Sequence, residues 1–107
     1  MLIPELIARL HEFIGREASV DGVLLVGADS RVVADADRPD QACLLLPHPQ
    51  VSNRLVKVVP AWGGGRYIYV EDATVVGVLA SDPLRFVTVR AVIVRRDGKV
   101  YEFEDLA

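Results

Sequence analysis

Val20-Asp21-Gly22-Val23-Leu24 and Val75-Val76-Gly77-Val78-Leu79 repeat one pattern, Val-x-Gly-Val-Leu, with the two glycines 55 positions apart. Both segments sit in runs of β-branched residues, so each reads as a strand carrying an isolated glycine. Such a glycine marks a bulge or a sharp bend where a sheet must coil or close. Two bent strands predict a closed barrel.

Ile3, Leu6, Ile7, Leu10 and Ile14 recur at the spacing of one helical face, with Glu5, Arg9 and Glu12 opposite. Pro4 suits a first helical turn, Gly15 suits an end, and Glu5 with Arg9 forms an i,i+4 pair, which predicts a helix over 3–15. Its apolar stripe would cover the chain's own core or a second copy. Residues 20–26, 31–35 and 41–46 then read as a three-strand meander, separated by turn signals at 27–30 and 37–40. After Pro47-His48-Pro49, the spacing of Val51, Leu55 and Val58 or Val59 predicts a short helix ended by Pro60. Gly63-Gly64-Gly65 leads into strand-like runs at 67–70 and 74–80. The alternation over 85–96 puts Val87, Val89, Ala91 and Ile93 on one face, and Phe86, Arg90, Val92, Val94 and Arg96 on the other. Asp97-Gly98 is the strongest hairpin signal and turns the chain into a last strand at 99–103.

In the order of its elements the chain resembles the OB-fold, whose first and fourth strands are long and bent and whose helix lies between the third and fourth. Residues 20–24, 49–59 and 75–79 carry that resemblance, which spans 19–96. It implies a mainly β (α+β) fold: a five- to seven-stranded antiparallel barrel with an N-terminal amphipathic helix and a short mid-chain helix. The chain reads as a single domain, 1–107, with its helix at 3–15, its barrel at 19–96 and a terminal hairpin at 92–103. OB-folds commonly bind oligonucleotides on strands two and three, between the loops joining strands one to two and four to five. Here those loops, 27–30 and 81–84, are short, without an aromatic residue or more than one basic one, and Asp35, Asp37 and Asp40 nearby repel phosphate.

A length of 107 residues, 51% of them hydrophobic and 25% charged, predicts one folded core. No apolar run approaches the roughly 20 residues of a membrane span. The first residues lack a basic segment, so the reading is cytoplasmic, away from the membrane. Cys43 is the single cysteine, which rules out an internal disulfide or a multi-cysteine zinc site. A net charge of -3 gives no global attraction to nucleic acid.

No catalytic, metal or cofactor motif is present, and no cofactor is expected. Trp62, Arg66, Tyr67 and Tyr69 around the glycine run, and the basic stretch Arg85, Arg90, Arg95, Arg96 and Lys99, make the candidate binding surface. Trp62 and one tyrosine would otherwise pack on the barrel rim. Glu71-Asp72 reads as a solvated loop, Asp35, Asp37 and Asp40 as a solvated acidic loop, and Cys43 as a buried strand residue. The expected function is a non-catalytic protein-binding or adaptor module whose partner is another protein or a second copy. The alternative is a single-stranded nucleic-acid binder using the C-terminal arginine strand.

Overall fold

The computed structural model describes residues 1–61 and 66–106. In chain order they form α1 (Ile3–Ala8), α2 (Leu10–Phe13), β1 (Glu17–Gly27), β2 (Arg31–Val33), β3 (Cys43–Leu45), α3 (Pro49–Val58), β4 (Tyr67–Ala80), β5 (Arg85–Arg96) and β6 (Lys99–Phe103). The fold is mainly β, with strands in the order β3-β2-β1-β4-β5-β6 and antiparallel neighbours. One parallel contact, Leu45 opposite Arg85, joins β3 to β5, and the Leu45 amide donates to Leu84 O at 3.1 Å. That contact closes β1 to β5 into a ring and leaves β6 as an outlying strand on β5. The two runs expected at 67–70 and 74–80 are one strand of 14 residues. Glu71-Asp72 does not interrupt it, because Glu71 turns inward and is buried while Asp72 faces out.

The repeated motifs lie side by side. Val20 is opposite Val75, and each glycine is opposite an alanine, Gly22 to Ala73 and Gly77 to Ala18. Those four small residues leave room inside the ring for larger side chains. A Cβ on Gly22 would stand 2.9 Å from Ile3 Cδ1, and one on Gly77 would stand 3.0 Å from Phe86 Cδ1. Ile3 and Phe86 are both buried in the core that these glycines floor.

The alternation expected along β5 fails at two bulges. Register shifts against β4 fall between Val76 and Gly77 and between Val78 and Leu79, leaving Arg90 and Val87 as the extra residues of β5. Each extra residue flips the side-chain parity, so Phe86, Val89, Val92 and Val94 all join the core. Val87 and Arg90 point out to solvent, which separates Val87 from Val89 and Arg90 from Phe86.

The N-terminal helix is not continuous over 3–15. It breaks at Arg9, whose φ of -124° is not helical, and the second turn redirects Leu10, Phe13 and Ile14 onto the core. The expected Glu5–Arg9 pair is replaced by Arg9–Glu12. Ile7, expected on the apolar stripe, is left 42% exposed. Gly15, at a φ of +82°, donates its amide to Leu79 O at 2.8 Å and turns the chain into β1.

After β3, α3 has Pro49 in its first turn and buries Val51 and Leu55, with Val59 just beyond. The Tyr69 hydroxyl donates to Val59 O at 2.6 Å, fixing the end of α3 on β4. Beyond β6 the chain tucks Leu106 into the core, and its amide reaches Arg90 O.

Candidate functional site

The outer face of β1 and β2, which faces away from the core, is sealed by the chain itself. Arg31 and Val33 project there and are buried, as is Leu25. The loop between β2 and β3 folds over them. Arg31 Nη1 donates to Pro39 O at 3.0 Å and to Asp40 Oδ1 at 2.9 Å, and its Nη2 donates to Asp29 Oδ2 at 2.6 Å. Asp40 therefore anchors the loop rather than merely solvating it. Arg66 approaches the same Asp29 oxygen at 2.9 Å and lies over the Tyr67 ring, 5.1 Å from its centre. Hydrogen bonds from Arg66 and then Arg31 hold the Asp29 carboxyl below the usual carboxylate range. Arg31 Nε and the Tyr67 hydroxyl are buried without a hydrogen-bond partner among the described residues. Cys43, at the start of β3, is half-buried, and burial pushes its thiol up, away from the reactive thiolate.

The other candidate residues fall into separate places. Arg85 donates to Ser81 O and Pro83 O and so staples the turn before β5. Arg90, bulged outward, grips Glu17 at the start of β1 through both carboxylate oxygens at 2.9 to 3.2 Å, which holds the Glu17 carboxyl below its ordinary value. Arg95 donates to Thr74 Oγ1 at 3.0 Å. Arg96 turns inward, its Nε 2.9 Å from Glu71 Oε1 and its Nη1 2.7 Å from Pro60 O. The Arg96 and Glu71 side chains are only 12% and 3% exposed, so this is a buried pair. Tyr69 belongs to the core, Lys99 is exposed on β6, and Trp62 lies outside the described residues. Parity and pairing thus divide the arginines between a turn, a barrel flank, the hairpin end and the interior.

A cavity of about 450 Å³ that sequence reasoning did not single out opens between the loop 27–30 and Pro47-His48-Pro49, over Leu45 and Leu46. His48 Nε2 lies 2.8 Å from Phe86 O, which only accepts, so that nitrogen carries a proton. Gln50 Nε2 bridges His48 Nδ1 at 3.3 Å and Leu106 O at 3.1 Å. Ser52 Oγ donates to Pro49 O, and Ser30 Oγ receives the Gly27 amide. The polar groups at this cavity therefore serve its walls. The Pro-His-Pro stretch was the available signal, but nothing in its spacing tells that loop 27–30 lies across from it.

Among the described residues no three His, Cys, Asp or Glu side chains converge as a metal site would need, and no helix is long and apolar enough to cross a membrane. Among the described residues the large hydrophobic side chains left exposed are aliphatic, including Val56 and Val58 on α3, Ile68 and Val70 on β4, and Val100 on β6. Comparison with known proteins finds no matching family model, no similar curated protein and no similar solved structure.

Proposed function

We propose that the chain is an OB-type barrel acting as a non-catalytic protein-binding or adaptor module. The OB reading is supported by the order β3-β2-β1-β4-β5, the β3 to β5 contact and the placing of α3 between β3 and β4. The functional reading rests on one observation about the surface. Arg31, Arg66, Arg90 and Arg96 each pair with a carboxylate of their own chain, while among the described residues the large hydrophobic side chains facing solvent are valine, leucine and isoleucine. A nucleic-acid groove needs the reverse, with cations free for phosphate and aromatic rings free for bases. The usual OB ligand face also lies under the loop that Arg31 holds in place.

Titration of a fluorescently labelled single-stranded oligonucleotide at low salt tests this reading. Polarisation is expected to stay flat up to high protein concentration. Binding whose affinity falls steeply with added salt would establish counterion release and overturn it.

A further inference from the structure

The hairpin turn fixes which backbone groups face the open edge of β6. Asp97 and Gly98 have φ of 49° and 78°, the two-residue turn in which the flanking pair, Arg96 and Lys99, closes the ladder by hydrogen bonds. Antiparallel pairing alternates, so Val94 with Tyr101 and Val92 with Phe103 are hydrogen-bonded pairs too, while Arg95 with Val100 and Ile93 with Glu102 are not. The N–H and C=O groups of Val100 and Glu102 therefore point away from β5. No strand among the described residues pairs there. Val100 is also the most exposed large hydrophobic residue described, at 58%.

This edge is complementary to itself. An antiparallel two-fold pairing centred on Tyr101 sets Val100 of each copy opposite Glu102 of the other, at the two positions whose backbone groups find no strand partner among the described residues, and so makes four N–H···O bonds. On the outer face the row Val23, Asp72, Arg95, Val100 runs across β1, β4, β5 and β6. The second copy's Glu102 extends that row and comes within reach of Arg95, which donates to the Thr74 hydroxyl, stands opposite Asp72 and lies near Asp21. The symmetry repeats the charge match on the other side.

We propose that β6 is a docking edge for a second copy of this chain, paired antiparallel about Tyr101, with Arg95 facing the second copy's Glu102. The inference deepens the protein-binding reading and rests on it. An interface of one short strand falls in the small, transient class, so dimers should form at about 100 µM rather than in the nanomolar range.

Analytical ultracentrifugation from about 10 µM to about 1 mM tests it. Val100→Pro removes an outward N–H while sparing the β5–β6 bonds, and Glu102→Arg sets like charges across the pair. Each should weaken dimerisation by about tenfold or more, and Arg95→Glu added to Glu102→Arg should restore part of the loss. Circular dichroism checks folding, and the surface change Glu102→Arg carries the test should Val100→Pro unfold the hairpin. A wild-type chain that stays monomeric at about 1 mM, or a dimer indifferent to Glu102→Arg, overturns the proposal. Neither result bears on the oligonucleotide titration, which decides the broader reading separately.

Discussion

Gly77→Ala should destabilise the domain by about 3 kcal/mol or more, and a thermal melt should fall by about 15 °C. Gly77 sits at a bulge, where a Cβ would stand 2.1 Å from Thr88 O and 3.0 Å from Phe86 Cδ1. Relief requires β4 and β5 to separate, because the first obstacle is a backbone carbonyl rather than the tip of a flexible side chain. The glycines rank themselves by what each Cβ would meet. At Gly22 the nearest atoms are Val33 O at 2.8 Å and Ile3 Cδ1 at 2.9 Å, so Gly22→Ala should fall between the extremes. At Gly15 nothing lies within 4 Å, and only the φ of +82° opposes a side chain, which limits Gly15→Ala to about 1 kcal/mol. Denaturant midpoints for the three variants should follow that order. Equal losses at all three would show that the close approach of Thr88 O at the Gly77 bulge is not what excludes a side chain.

Glu71→Ala is the second large effect, expected at about 3 kcal/mol. The change takes the carboxylate away from Arg96, whose guanidinium is held between Glu71 and Pro60 O with little access to water. The cost comes chiefly from leaving a cation desolvated without that counter-charge, not from the strength of the pair itself. Arg96→Met in the same background should therefore recover much of the loss, because an apolar side chain of similar length needs no counter-charge. A double variant as unstable as Glu71→Ala alone would place the damage elsewhere. By contrast, removing the exposed Arg90–Glu17 pair should leave the denaturant midpoint nearly unchanged, since solvent screens it.

Much of the fold was legible because it depends on local signals. Asp97-Gly98 announced its hairpin, Pro49, Val51 and Leu55 announced α3, and the repeated Val-x-Gly-Val-Leu motifs marked two strands that pair with each other, with a bulge at Gly77 but an unbroken register through Gly22. What escaped depends on contacts between distant residues. The parity of β5 is reset by bulges that form against Gly77, so alternation alone misplaced Arg90 and Val87. The break at Arg9 arises because Leu10 and Phe13 must return to the barrel, a demand absent from helical periodicity. The candidate surface was the least legible part. Glu71 read as a loop residue because its partner lies 25 positions away, and Arg96 read as surface charge for the same reason. The loop over Arg31 looked like a solvated acidic stretch because Asp40 gains its meaning only when the chain folds back.

Closure of the ring underlies all of this, since it leaves β6 as the open edge. The most direct measurement is hydrogen exchange at the Leu45 amide, which bonds Leu84 O across the β3 to β5 seam. In a closed barrel that amide is protected by about a thousandfold or more, together with the central amides of β4. Exchange at the rate of an unstructured peptide, while β4 stays protected, would mean an open sheet and contradict the account.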